Sequence, residues 1–221
     1  MYGMYEQQDP CHTSKYLCGI VPQGQAAKAC SPANKQCTIL FHVENICTIL
    51  VQQPSRLSLH ILIETIRGTV MGRITELLNT AHARSQAQAW PYIGALLPHE
   101  AHELLQLAPG ARLVDVRSRA ELELTGTLPV AVHVEWQSWP GWVINPHFSV
   151  QLTQAVDSES LLFFICRNGH RSHRAAIAGT EAGLRHCYNV LEGVEGDLDK
   201  STGHRNTING WKQRGLPWSQ T

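Results

Sequence analysis

Apolar and polar positions alternate along this chain in two regimes that meet near Met71. Downstream, Met71, Ile74, Leu77, Leu78 and Ala81 follow the three-and-four spacing of an amphipathic helix. A linker with Pro91 and Gly94 follows. Pro98-His99-Glu100 then opens a second helix, with Ala101, Leu104, Leu105 and Ala108 as its apolar face and Pro109-Gly110 as its stop. The remainder predicts a strand over 112–116, a short helix over 120–124, a strand over 131–135 and a helix over about 146–156. A wholly apolar strand over 161–165, a helix over 172–182, a strand over 188–191 and a closing helix over 207–213 complete it. Strands alternating with helices predict an α/β domain with a mainly parallel sheet, and Leu161–Ile165 reads as its central strand, apolar on both faces.

Upstream of Met71 the pattern is irregular. Apolar patches at Thr38–Phe41 and Ile46–Val51 carry no sustained period, and Leu57, Leu59, Ile61 and Ile63 alternate as a strand would. The expected organisation is an N-terminal extension over 1–70, a helix and linker over 71–95, and the α/β domain over 96–221. The extension is either a genuine, weakly structured segment or an over-extended reading frame ahead of a natural start at Met71.

Composition narrows the function classes. The 221 residues suit one domain with an appendage. Eighteen basic side chains balance eighteen acidic ones, which argues against broad binding to nucleic acid or an anionic membrane. No apolar run reaches the roughly 18 residues of a membrane span, and the first residues, MYGMYEQQDP, lack the basic start and apolar stretch of a secretory signal. A cytoplasmic location is expected. Cys11, Cys18, Cys30, Cys37 and Cys47 crowd the first quarter, but none forms a C-x-x-C pair, so they read as incidental and no metal is expected.

The chemistry concentrates where the central strand ends. Cys166-Arg167-Asn168-Gly169-His170-Arg171-Ser172 links that strand directly to a helix, and ligands of parallel sheets bind at such turns. A thiol there meets backbone N–H groups and the positive end of a helix dipole, with Arg167 and Arg171 adding charge, the conditions that favour a thiolate. Gly169 lets the loop curl and admits close approach of a ligand. Cys166 is therefore the candidate nucleophile. His170 and His173 are candidates for proton donation or pH sensing, or are simply solvent-exposed.

Residues from about 96 to 221 resemble a rhodanese domain, the sulfurtransferase fold. The heptapeptide matches the C-R-x-G-x-R-S form of that family's active-site loop. Leu113-Val114-Asp115-Val116-Arg117, with Glu121 and Gly126-Thr127-Leu128-Pro129, resembles its upstream motif, apart from Thr127 and Val130. Asn189-Val190-Leu191-Glu192-Gly193 and Gly210-Trp211 through Trp218 resemble its closing elements. The resemblance implies a three-layer rhodanese-like domain. It also implies thiosulfate sulfurtransferase activity through a persulfide on Cys166, with no cofactor beyond that covalent intermediate. A small sulfur donor is one partner. The other is a thiol or cyanide acceptor, which includes protein thiols; neither nucleic acid nor membrane is implied. Arg167, Asn168, Gly169, His170, Arg171 and Ser172 would form the persulfide-binding loop. Asp115 and Arg117 would form a structural ion pair shared with Glu121. Trp136, Trp139 and Trp142 would line a core or pocket.

Two other functions stay in view. A non-catalytic sulfur carrier or regulatory module would use the same loop without turnover. A phosphatase of the related cell-cycle type would need five residues between cysteine and arginine, where this loop has four. Cys187 would act as a resolving thiol only if it approached Cys166.

Overall fold

The computed structural model describes the backbone at 27–30, 37–40, 42–43 and 46–47, and the chain from 56 to 220, with side chains from 59. Strands β1 (Ala27–Cys30) and β2 (Cys37–Leu40) pair antiparallel, as do β3 (His42–Val43) and β4 (Ile46–Cys47). Cys11 and Cys18, and the side chains of Cys30, Cys37 and Cys47, lie outside the described residues. The chain divides into two units, residues 1–65 and 66–221, and β1–β4 belong to the first.

Helix α1 runs from Arg56 to Ala87. This corrects the strand expected from Leu57, Leu59, Ile61 and Ile63. Over so short a window, alternation also places 57 with 61 and 59 with 63, the i, i+4 neighbours of a helix. The alternation marks no buried face either: Leu59, Ile61 and Ile63 are all exposed. Further along, the expected face does bury. Leu77 and Ala81 enter the core, with Ile74 and Leu78 packed against it, while Met71 stays exposed.

The second unit is built on five parallel strands: β5 (Gly94–Leu96), β6 (Ala111–Asp115), β7 (Ala131–His133), β10 (Leu161–Ile165) and β11 (Cys187–Val190). Their order is β5-β11-β10-β6-β7. Helices α2 (Pro98–Leu107), α3 (Arg119–Thr125), α4 (Phe148–Ala155) and α5 (His170–Glu181) connect them, and a small hairpin, β8 (Gln137–Ser138) with β9 (Val143–Ile144), precedes α4. The expected mainly parallel sheet is present, and β10 is central between β11 and β6.

Side-chain alternation along β10 creates the three layers. Phe163 and Ile165 join one core with Leu77, Leu104 and Trp211; Leu162 and Phe164 join the other with Phe148, Leu152, Ala175 and Ala176. Period-two geometry on a sheet covered on both faces requires this double burial. Among the described residues, no helix is long and apolar enough to cross a membrane.

Two further expectations need correction. The linker around Pro91 and Gly94 contains edge strand β5, where Gly94 pairs with Tyr188. Three residues without a β-branched side chain give too little signal to register as a strand. The closing helix over 207–213 is a series of turns. The amides of Trp211 and Lys212 donate to the carbonyls of Gly193 and Val194 at 2.9 and 3.1 Å, so they are not available for a helical ladder.

The regular apolar face of α1 begins at Met71, and two ion pairs dock the helix beyond that point. Arg73 bonds Glu103 at 2.6 Å, and Arg84 grips the carboxylate of Glu100, itself 7% exposed, at 2.5 and 2.8 Å. We therefore propose that residues 71–221 fold without the preceding segment. A melting temperature within about 5 °C of the full chain is expected; an insoluble product would refute it.

Candidate active site

The loop Cys166–Ser172 leaves the carboxyl end of β10 and enters α5 directly. Gly169 stands at the helix N-cap with φ +90°, a left-handed conformation that a glycine adopts without strain. Its conformation turns its own N–H back onto Cys166 Sγ at 3.2 Å. Ser172 adds a second donor from the first helical turn, Oγ to Sγ at 3.3 Å. Cys166 is 0% exposed within the loop, and Ser172 likewise. No side chain caps α5, and the amides of its first turn have no intrahelical acceptor. The arrangement can hold an anion beside the sulfur.

The loop is held from behind by the segment after β11. Val194 N–H donates to Cys166 O and Glu195 N–H to Arg167 O, both at 2.8 Å. Gly193, with φ +65°, sits against the loop backbone. A Cβ there would lie 2.6 Å from Arg167 C and from Asn168 N, and closer still to Cys166 O.

The upstream motif divides differently from expectation. Asp115 and Arg117, at 2% and 0% exposure, do form a buried ion pair, with Arg117 Nη2 to Asp115 Oδ2 at 2.6 Å. Arg117 also donates to Thr125 Oγ1 and Gly126 O, which ties α3 to the end of β6. Glu121 does not share that pair. Its carboxylate takes both arms of Arg171, at 2.6 and 2.5 Å, and also accepts from the N–H and hydroxyl of Ser118. Burial opposes the Glu121 charge, but Arg171 and Ser118 outweigh it and hold the carboxyl below its usual range. Glu121 therefore positions the loop's second arginine. Thr127, one of the motif's departures, pairs its backbone with Ser219 at 2.7 and 2.9 Å.

Two clefts flank the loop. The smaller, about 310 Å³, is lined by Trp142, Arg167, Asn168, His170 and Arg171. Trp142, at the hairpin, lies 4.7 Å from the Arg171 guanidinium, ring face to cation. Arg167 lines this cleft, and among the described residues its buried Nε has no hydrogen-bond partner. The larger, about 720 Å³, runs on the other side past Trp90, Gly169, His173, Ile177 and Asn189. The three tryptophans separate accordingly: Trp136 packs edge-on to Phe148, Trp139 is exposed, and Trp142 alone walls a cleft.

The histidines also part. His170 is exposed at the mouth of both clefts. His173 is half-buried against Trp90 and Tyr92; burial, then Arg174 and His170, hold its pKa below the usual value. Tyr92, Asn189, Gly193 and Trp142 join the site through tertiary contact. Of these, Asn189 and Gly193 fall in a stretch that the sequence motifs mark and Trp142 belongs to the tryptophans expected to line a core or pocket, whereas Tyr92 carries no such signal.

Cys187 faces Leu162 at the start of β10, four residues before Cys166. At the strand rise of about 3.3 Å per residue this is about 13 Å, far beyond disulfide reach. Burial pushes its thiol up to about 11. Among the described residues, no cluster of three metal-ligating side chains occurs.

The family model described as a rhodanese-like domain matches residues 97–199. An uncharacterized protein of Rickettsia rickettsii is 33% identical over 121 residues, which cover 54% of this chain and 91% of that one. A Rickettsia montanensis protein from the dnaA 5′ region is 34% identical over the same coverage. The crystal structure of Rv0390 from M. tuberculosis is 40% identical, with a TM-score of 0.55, over 59% of this chain and 99% of that one.

Proposed function

This chain belongs to the rhodanese-like domain family, and from that premise we propose that it is a thiosulfate sulfurtransferase working through a persulfide on Cys166. One observation carries the reading. The Cys166 sulfur sits at the uncapped start of α5, accepts from Gly169 N–H and Ser172 Oγ, and lies in a loop flanked by a cleft that Arg167 lines.

In the first step the Cys166 thiolate attacks the outer sulfur of thiosulfate. A Cys–S–S bond forms, the S–S bond of the donor breaks, and sulfite leaves with the electron pair. Arg167 would pair with the donor's sulfonate oxygens. The persulfide's outer sulfur carries the negative charge, and the amides opening α5 would stabilise it as oxyanion-hole donors stabilise an oxygen anion. In the second step an acceptor thiolate or cyanide attacks that outer sulfur, and Cys166 thiolate is released. No general base is needed when both nucleophiles arrive ionised.

The structure favours sulfur over phosphate as the transferred group. Arg171 spends one N–H of each terminal nitrogen on Glu121, and four residues separate Cys166 from Arg171 where the related phosphatase loop has five. Incubation with thiosulfate followed by intact-mass measurement tests the reading: one adduct of about 32 Da on the Cys166 peptide is expected. Its absence, with phosphate released from an aryl phosphate instead, would overturn it.

A further inference from the structure

The larger of the two clefts has no part in the capture of thiosulfate, yet it opens onto the same loop. Its place follows from the sheet order. β11 lies on one side of β10, while β6 and β7, which lead to the Trp142 hairpin, lie on the other. Along α5, His170, His173, Arg174 and Ile177 recur at i, i+3, i+4 and i+7, so they share one face of the helix. That face lines the larger cleft together with Leu191 and Glu192, which follow β11. Arg171 turns instead to Glu121 and the smaller cleft. Both clefts include Asn168 and His170, so each leads to the tip of the sulfur loop.

The larger cleft is preformed and largely apolar along one wall. Trp90 stacks on Tyr92 with 5.6 Å between centroids, and His173 stands edge-on to Trp90 at 5.5 Å. The Tyr92 hydroxyl meets His173 Nδ1 at 2.7 Å, which pins the imidazole against that wall. Ile177 and Leu191, both half-buried, extend the apolar surface. A volume of about 720 Å³ is far more than a small inorganic anion needs. It falls within the range of roughly 300–1,000 Å³ typical of sites for organic ligands.

Charge narrows the choice of ligand. The Glu192 carboxylate accepts from Arg214 at 2.8 to 3.0 Å and from Gly210 N–H at 3.1 Å, so its charge is already matched. Arg174 is exposed at the same cleft and forms no ion pair among the described residues. The unmatched full charge along this cleft is therefore positive.

We propose that the larger cleft receives the sulfur acceptor, and that the class it selects is a small peptide-like thiol carrying a carboxylate. This assignment rests on the persulfide chemistry proposed above. The thiol end enters at Gly169, whose N–H bonds the Cys166 sulfur. The apolar body lies against Trp90 and Ile177, and the carboxylate pairs with Arg174. The acceptor thiolate forms a bond to the outer sulfur, the S–S bond to Cys166 breaks, and its electron pair returns to Cys166 as thiolate. The acceptor leaves as its own persulfide. Donor and acceptor thus reach one sulfur from two sides of the loop.

The test uses full-length protein loaded from thiosulfate and freed of excess donor. Glutathione, its diethyl ester or cyanide is then added, and loss of the bound sulfur is followed by intact mass. Cyanide is small enough to need no cleft, so its rate reports the loop itself, and ratios taken on one protein cancel any disturbance there. Wild type should discharge to glutathione about threefold faster than to the uncharged ester, the value of one exposed ion pair. Arg174→Gln should bring those two rates within about 1.5-fold of each other. Ile177→Trp, which fills the cleft, should lower the glutathione-to-cyanide ratio at least about tenfold, through a higher KM for glutathione. Ratios that stay at the wild-type value in both variants would overturn the cleft assignment alone. Discharge to reduced thioredoxin but not to glutathione would overturn the choice of a small thiol in favour of a protein one. A wild type that takes up no sulfur from thiosulfate would overturn the persulfide chemistry and the acceptor site with it.

Discussion

Cys166→Ser is expected to leave a folded protein that neither gains sulfur from thiosulfate nor turns it over. The hydroxyl is slightly smaller than the thiol and can keep both bonds that the sulfur accepts, from Gly169 N–H and Ser172 Oγ. The melting temperature should therefore stay within about 4 °C of the parent, a cost of about 1 kcal/mol or less. Chemistry is another matter. An alcohol is un-ionised at any pH the fold survives, and a C–O–S linkage offers no exchange route comparable to thiol–disulfide exchange. Turnover should fall by at least about a thousandfold, as for loss of other covalent nucleophiles. Turnover within about tenfold of the parent would remove Cys166 as the sulfur-carrying atom.

Gly193→Ala should be nearly as damaging, although it lies 27 residues after the thiol in sequence. The backbone there has φ +65°, and an added methyl would overlap the carbonyl oxygen of Cys166 and approach Arg167 C and Asn168 N at 2.6 Å. All three are main-chain atoms that cannot swing aside. Either the loop moves or the 193–195 strap lifts away, breaking the bonds from Val194 and Glu195 to the Cys166 and Arg167 carbonyls. A displacement of about 1 Å at a catalytic loop costs about a hundredfold in rate. The forced contact and the strained φ together should cost about 3 kcal/mol or more of stability. Sulfur loading and thermal melting of this variant are the readouts. Loading within about threefold of the parent would mean that the strap does not set the loop's shape.

The order of elements was legible from hydrophobic spacing because most of them obey a local rule. Leu161–Ile165 is apolar at every position, as a strand buried on both faces must be, and it is the central strand. Pro98 and Glu100 mark the start of α2, where Glu100 accepts from Leu97 N–H at 2.8 Å. The misreadings occur where local signals compete or vanish. Alternation over 57–63 satisfies helix and strand alike. β5 is three residues long and exists because Tyr188 and its neighbours offer it a ladder. In the 207–213 segment Thr207, Asn209 and Gly210 are poor helix formers, and the amides of Trp211 and Lys212 are claimed by Gly193 and Val194.

The candidate site divides in the same way. Cys166 and its loop could be proposed from sequence because seven consecutive residues match the family's loop form. The bond from Glu121 to Arg171 spans fifty residues, and nothing in spacing distinguishes it from an interaction with the neighbouring Arg117. Tyr92 precedes β5 in a stretch that looked like linker, yet its hydroxyl reaches a histidine on α5. Trp142 owes its place to the hairpin that carries it. Such partners are chosen by topology after the sheet has formed.

The distance between Cys166 and Cys187 has a consequence for how the protein ages under oxidative stress. Peroxide would convert an empty Cys166 thiolate to a sulfenic acid, which many enzymes rescue by closing an internal disulfide. Cys187, at the opposite end of its strand pair and with its thiol held protonated by burial, cannot offer that refuge. Among the described cysteines, repair then depends on a thiol arriving from outside before a second oxidation makes the damage permanent. A bound sulfur changes the outcome, because peroxide then meets the outer atom, and reduction of that S–S bond returns the original thiol. If Cys166 carries a persulfide, that cargo would act as a sacrificial cover for the thiol beneath it.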